Sequence, residues 1–418
     1  SSSIGKREQK KEFFCNLPQL RKNFDECESH GEYQVRINTL QTAVIKLRQV
    51  LKLNPLGNDP YLTKVLSLVL IVYKELQSNG PWNPPNSIKM SEDLNNDFVE
   101  VNNVSLDKIL CENSPYDKQK VFENCVLFLH TKLTSEKFKK NPSFIEVYYS
   151  IISNIDFLCY KVNPMMTLPS AMVLIDDFVE SNKIKGLVCC KCVIEQLSFE
   201  DFNGGNYYDA VYVVLKKNVH EKNIDVIKLV LDCILEVLKI LPEEDHSKAQ
   251  KLDEILYIAS DEILMETNFY RKKAYLLFLA SLINIHKINC LSKKKKFMKI
   301  IIENVDLCVN TTMKSVLLDT LLDTIDVWLK YCWCAWRYKD DKTVITALLK
   351  ILFIVEIKEH ALIDHIQQII LLLYKLCSDD EQLEIATNVC VICAKIFDEE
   401  YLKNFQDGIN GIIQYLVG

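Results

Sequence analysis

Apolar residues recur at intervals of three and four along almost the whole chain, in successive segments of about 15 to 20 residues, and strand-like alternation is nearly absent. The pattern predicts an all-α protein. Its clearest instance is the segment 223–241. There Asp225, Lys228, Asp232, Glu236 and Lys239 step by three or four and form one narrow polar stripe. Ile227, Val230, Leu231, Cys233, Ile234, Leu235, Val237, Leu238 and Ile240 fill the rest of the circumference. A stripe so thin predicts a helix buried on two or three sides.

Similar patterns predict helices over 33–53, 61–78, 118–133, 143–160, 182–198, 206–219, 248–265, 269–286, 293–308, 312–336, 342–355, 360–377, 381–397 and 401–417. Most connections are short, which makes consecutive helices antiparallel neighbours. From Pro164 onward, helix pairs recur roughly every 40 residues, the footprint of HEAT or armadillo units that bury their flanks only by stacking. The predicted fold is an α-solenoid of HEAT/armadillo-like antiparallel helix pairs. Gly80-Pro81-Trp82-Asn83-Pro84-Pro85 interrupts the pattern, because each Pro lacks an amide donor and restricts the residue before it. The acidic, Asn-rich stretch that follows shows no helical face. Residues 79–115 therefore read as a loop or hinge between an N-terminal helical lobe at 1–78 and a solenoid at 116–418.

Composition narrows the classes. The 418 residues include only 10 Gly and 11 Pro, too few for a disordered chain or a turn-dense β architecture. Lys and Arg number 50 against 56 Asp and Glu, a net charge of −6 that no nucleic-acid binder would favour, so no nucleic acid is expected as a partner. Sixteen cysteines are scattered through a long apolar chain without a signal-peptide pattern, which fits a reducing compartment. The longest apolar runs, at 66–73 and 274–285, fall short of the roughly 18 residues of a membrane span. The expectation is a soluble cytoplasmic protein, with the nucleus as a second location and no membrane partner.

Candidate chemistry is sparse. Cys390 and Cys393 form a C-x-x-C without a preceding strand, a second such pair or a nearby His, and read as a buried pair on one helix face. Cys189, Cys190 and Cys192 diverge around a helix and cannot readily close a tetrahedral metal shell. No H-E-x-x-H, G-x-S-x-G, Walker loop or G-x-G-x-x-G occurs. Asp340-Asp341 and Asp379-Asp380 precede apolar helices, where acids oppose the amino-terminal dipole. No catalytic residue, metal ligand or cofactor is assigned.

Two features suggest contacts with other proteins. Lys293, Lys294, Lys295 and Lys296 open a helix after Ser292, the expected cap, and read as a solvated face or as a docking point for an acidic partner surface. Trp333 lies in a segment with three of the four tryptophans. On a continuous helix it projects about 140° from Trp328, away from the core side shared by Trp328, Tyr331, Cys332 and Ala335.

The segment 174–186 carries a resemblance. An apolar helix ends in Asp176-Asp177, and Gly186 sits early in the next helix; Cys233 within 225–241 and the basic-aromatic Tyr270-Arg271-Lys272-Lys273 continue the likeness. Over residues 140–360 the chain resembles the Tel-interacting protein two family, the smallest subunit of the Triple-T (TTT) co-chaperone. It departs from that family's pattern after Trp333, where Cys334 and Ala335 replace a Pro and a basic residue. The resemblance implies a non-enzymatic scaffold. Its partners would be the two larger Triple-T subunits and, indirectly, Hsp90 with its R2TP adaptor and the phosphatidylinositol-3-kinase-related kinases (PIKK) whose maturation it supports. Gly186 would let two helices approach closely, and Asp176 and Asp177 would bind backbone amides at the turn. Two rival readings remain: a HEAT/armadillo-type transport or trafficking adaptor binding peptides in a groove, and a Cys- or metal-dependent enzyme on a helical scaffold.

Overall fold

The computed structural model describes residues 31–53, 59–133, 138–139, 141–155, 161–203, 207–243, 246–310, 314–354 and 360–396. All regular structure among them is helical, without a strand. The predicted helix at 401–417 and the end of that at 143–160 lie outside the described residues. Contacts divide the chain into two compact units, Ser1–Asn218 and Val219–Gly418.

The first unit contains α1 (Gly31–Leu53), α2 (Pro60–Gln77), α3 (Ser87–Asn102), α4 (Lys118–Leu133), α5 (Pro142–Ile152), α6 (Pro164–Ile175), α7 (Glu180–Glu195), the short α8 (Phe199–Asn203) and α9 (Tyr207–Lys217). One row runs α2–α4–α6–α9, each helix packed on the next, and α5 and α7 form a second row against it. In the second unit are α10 (Ile224–Ile240), α11 (His246–Met265), α12 (Phe269–His286), α13 (Lys294–Asn310), α14 (Lys314–Cys332), α15 (Tyr338–Ile354), α16 (His360–Lys375) and α17 (Asp379–Ile396). Here α10, α12, α14 and α16 stack in one row and α11, α13 and α15 in another, and each helix also packs on the one before it in sequence through most of the unit. Contacts with the next helix and the next but one define an α-solenoid.

The sequence logic of the stack is plainest in α10. Asn223 caps it, its side chain accepting from the amides of Asp225 (2.7 Å) and Val226 (3.2 Å). Val226, Ile227, Val230, Leu231, Cys233, Ile234, Val237 and Leu238 are buried, while Asp225, Lys228, Asp232 and Lys239 face solvent. Helix α12 carries the same logic further. It packs against α10, α11 and α14, and buries Tyr275, Leu276, Phe278, Leu279, Leu282 and Ile283. The helical run Phe269–Val309 consequently holds an 18-residue window with mean hydropathy 1.4, apolar enough to cross a membrane by length and composition, contrary to the shorter runs counted from sequence. Half of that window is buried inside the protein, as expected for a core helix touched on three sides.

The segment 79–115 is not the loop or hinge that its prolines and asparagines suggested. It contains α3 and a 3-10 turn, Leu106–Lys108, and α3 packs on both α1 and α2. Its inward face is Ser87, Ser91, Leu94, Asp97 and Phe98, correctly spaced for a helix but half polar, which hid it. Asp97 faces α1, where Arg48 Nε (2.5 Å) and Lys52 Nζ (3.0 Å) meet it. Desolvation pushes its pKa up, yet the hydrogen bonds from Arg48 and Lys52 outweigh burial and leave it below the ordinary carboxylate value.

The proline-rich turn itself is bolted down. Arg36 of α1 donates to the Trp82 carbonyl and pairs with Glu75 of α2, and both charged side chains are buried. Asn83 Nδ2 donates to the carbonyls of Glu75 (2.6 Å) and Ser78 (2.8 Å). A Cβ on Gly80 would overlap the Trp82 indole, which is 4% exposed. Removing one partner of a buried ion pair strands the other charge in low dielectric, at a cost of about 3–5 kcal/mol. Urea unfolding of Arg36→Ala followed through Trp82 fluorescence is therefore expected to lose about that much stability; an unchanged midpoint would contradict the clamp.

Candidate functional site

Residues 174–186 form the turn between α6 and α7. Asp176 is the exposed C-cap of α6, its amide donating to the Met172 carbonyl at 3.1 Å. Asp177 is buried. Its Oδ1 accepts from the Phe178 amide (2.9 Å) and its Oδ2 from Asn182 Nδ2 (2.8 Å), so the carboxylate ties the turn to the first helical turn of α7. Phe178 projects outward at 83% exposure. Gly186 sits where α7 crosses α6: an added Cβ would lie 2.8 Å from the Ala171 carbonyl oxygen, the Ile175 nitrogen and Leu174 Cβ. Two of these are backbone atoms of a packed helix and cannot step aside as a flexible side chain could. Asp177 and Gly186 thus act on the geometry of one helix pair.

The four lysines do not form a solvated face. A 3-10 turn, Lys287–Lys293, precedes α13, so Ser292 does not cap it; its hydroxyl donates instead to the Asn289 carbonyl at 3.3 Å. Lys293 approaches Asp253 at 3.9 Å, Lys294 pairs with Asp341 at 2.6 Å, and Lys296 pairs with Asp261 at 2.7 Å while lying 3.3 Å over the Tyr257 ring. Lys295 is exposed. Three of the four charges are therefore engaged within the unit. Asp341, in the first turn of α15, also accepts from the Arg337 amide at 2.9 Å. Sequence reading saw two capping acids; it had no means of seeing that Lys294 would close the same contact from a helix more than 40 residues away.

Trp333 is 55% exposed, though not as a helical residue. Helix α14 ends at Cys332, and Trp333 opens a 3-10 turn, Trp333–Ala335. Trp328 stacks on Phe297 with centroids 4.2 Å apart, and Trp336 is 5% exposed, so this turn separates one outward indole from two inward ones.

Nothing among the described residues assembles a reactive centre. No group of three or more His, Cys, Asp and Glu side chains comes together there in an arrangement that could hold a metal ion. The histidines that meet a carboxylate meet one each: His220 with Glu262 (2.6 Å), His286 with Asp253 (3.3 Å) and His365 with Asp326 (2.5 Å). Burial pushes the thiols of Cys125, Cys290 and Cys308 up to about 12, and desolvation holds Cys189 well above its ordinary value. These cysteines stay protonated and unreactive. Cys390 and Cys393 lie in α17, but their side chains fall outside the described residues. Two grooves are visible, of about 600 Å³ beside Tyr73, Asn95 and Asp107, and about 370 Å³ beside Tyr338, Lys350 and Glu384. Their polar groups satisfy one another: Tyr73 donates to Asp107 (2.6 Å), Tyr338 to Glu384 (3.2 Å), and Lys350 pairs with Asp306 (3.5 Å).

Fold and polar clusters together define a helical-repeat protein whose described charged groups work on the internal geometry of the stack. The chain is similar to TELO2-interacting protein 2: it is 19% identical to the human protein over 259 residues, covering 60% of this chain and 51% of that one. The rat and mouse proteins of the same name are each 20% identical over 260 residues, again 60% of this chain and 50% of theirs. The resemblance read from 174–186 thus points to the relatives that are found. The chain spans about half the length of those relatives, and no family model matches it. Among solved structures, an engineered protein superposes with TM-score 0.43 at 11% identity over 100% of this chain and 97% of that one. A structure of microtubule polymerases with TOG domain arrays gives 0.24 at 10% identity over 94% and 99%. At those scores neither likeness carries weight.

Two measurements follow. Gly186→Ala should lower stability by about 1–3 kcal/mol through overpacking against the α6 backbone; a melting midpoint equal to the wild type's would show that the helices do not touch there. Thiol titration at neutral pH should spare Cys125, Cys189, Cys290 and Cys308 until guanidinium is added. Rapid labelling of any of the four in the folded protein, located by mass spectrometry, would refute their burial.

Proposed function

We propose that the chain is a non-enzymatic scaffold subunit of the Triple-T co-chaperone, binding larger helical-repeat partners and supporting Hsp90-dependent maturation and assembly of phosphatidylinositol-3-kinase-related kinases. The observation that carries this reading is the similarity to TELO2-interacting protein 2 across 259 residues. The stacked architecture supports it, because a solenoid offers long ridges and end surfaces for complementary packing and needs no bond chemistry to act. The direct partners are the two larger Triple-T subunits; Hsp90, with its R2TP adaptor, and the client kinases are reached through them. The place of action is the cytoplasm, extending to the nucleus.

Exposed apolar residues such as Leu53, Phe178, Met265 and Trp333 are the kind of surface that a partner covers. A partner that binds only the folded chain stabilises it by mass action. Co-expression with the largest Triple-T subunit is expected to raise both soluble yield and melting temperature of this chain, with the two proteins co-eluting in size-exclusion chromatography. Separate elution with an unchanged melting temperature would overturn the assignment.

A further inference from the structure

The second unit holds one exposed tryptophan on a turn that is unusually well fixed. Lys294 Nζ donates to the Ala335 carbonyl at 2.7 Å and pairs with Asp341 at 2.6 Å. Asp341 accepts from the Arg337 amide, and Arg337 Nη1 donates back to the carbonyls of Cys334 (3.0 Å) and Trp336 (2.7 Å). Ala335 is thereby tied to α13 and Arg337 to α15, Arg337 closes the turn on Cys334 and Trp336, and Trp336 is buried. The Trp333 carbonyl accepts from the Trp336 amide at 3.0 Å, so an aromatic residue on a backbone fixed this way binds without the cost of ordering its turn.

Its surroundings specify a partner. Cys332 Sγ lies 3.8 Å from the Lys287 carbonyl, so the end of α14 rests on the 3-10 turn before α13, and Trp333 and Ile288 emerge one residue beyond that contact on either side. Ile288 is 54% exposed and Trp333 55%. Within six residues of Trp333 in the chain, Lys330 on α14, Arg337 just before α15 and Lys339 in its first turn are all exposed. Lys287 is paired with Glu243 at 2.9 Å; among the described residues Lys330, Arg337 and Lys339 have no carboxylate partner, though Lys330 lies 5.0 Å from the Tyr331 ring centroid. Asp326, four residues before Lys330, pairs with His365, and the exposed Asp340 adjoins Lys339 in the chain. On a chain whose net charge is −6, three exposed cations without a carboxylate partner close in sequence to an exposed indole form a local exception.

We propose that this end of the second unit docks an acidic peptide segment carrying an apolar anchor. The anchor packs between Trp333 and Ile288, and carboxylates beside it engage Lys330 and Lys339, with the edge of the Arg337 guanidinium that the turn carbonyls leave open. The proposal is independent of the Triple-T assignment, because it concerns the chemistry of this surface and not the identity of the complex.

The test uses the full chain and two fluorescein-labelled synthetic peptides, one of Glu and Asp around a central Leu-Phe pair, the other with Lys and Arg in place of the acids. Fluorescence anisotropy should show saturable binding of the acidic peptide, weakening as salt is added, and none of the basic one. Trp333→Ala should weaken binding by about tenfold or more, as for a central anchor. The double variant Lys330→Glu, Lys339→Glu should do the same without touching the apolar pair or the contacts that fix the turn. Circular dichroism melts of both variants should match the wild type, since all three side chains are exposed. Absence of saturable binding, equal binding of both peptides, or full retention of acidic-peptide binding in both variants would overturn the proposal.

Discussion

Everything in this structure depends on the fact that its helices are apolar around most of their circumference and can hide that surface only against one another. Helix α10 leaves a single polar stripe to water, and α12 leaves less. Such helices have no stable existence alone. Burial worth about 25 cal/mol per Å² is gained only when the next helix, and the one after it, are in place. The regular pattern of neighbours in the second unit is the geometric outcome of that constraint. It also explains how a segment can satisfy the composition of a membrane span while serving as the centre of a stack.

Within the stack, polar chemistry goes to fixing turns. Asp177 ties the α6–α7 turn to α7, Lys294 and Asp341 hold the turn that carries Trp333, and Arg36 joins α1, α2 and the proline-rich turn. Buried lysines follow the same rule: Lys248 donates to the Leu241 carbonyl at 2.6 Å and Lys272 to the Ile263 carbonyl at 2.7 Å, each satisfying a carbonyl near the end of a helix. These groups direct their hydrogen bonds to the protein itself, with Arg36 Nε left unpartnered.

How much of this could be read in advance differed by interaction range. The extent of α10 and its burial followed from periodicity, because they depend on residues within one or two turns. The close approach at Gly186 had a local signal too, a glycine in an otherwise propensity-driven helix. Helix α3 was hidden because its inner face pairs Leu94 and Phe98 with Ser87, Ser91 and Asp97, and the partners that make Asp97 tolerable, Arg48 and Lys52, lie in another helix. The lysines at 293–296 were misjudged for the same reason: Asp253, Asp261 and Asp341 are distant in sequence and adjacent only after stacking. Trp333 was placed outward on helical geometry, and it is outward because the helix stops one residue before it.

Hydrogen exchange on the isolated chain, read by mass spectrometry, tests the stacking constraint most directly. If mutual burial sustains these helices, amides of α10, α12 and α14 should be the slowest in the second unit and should exchange together, through one cooperative opening. Rapid, independent exchange across α12, at rates near those of an unfolded peptide, would contradict the account.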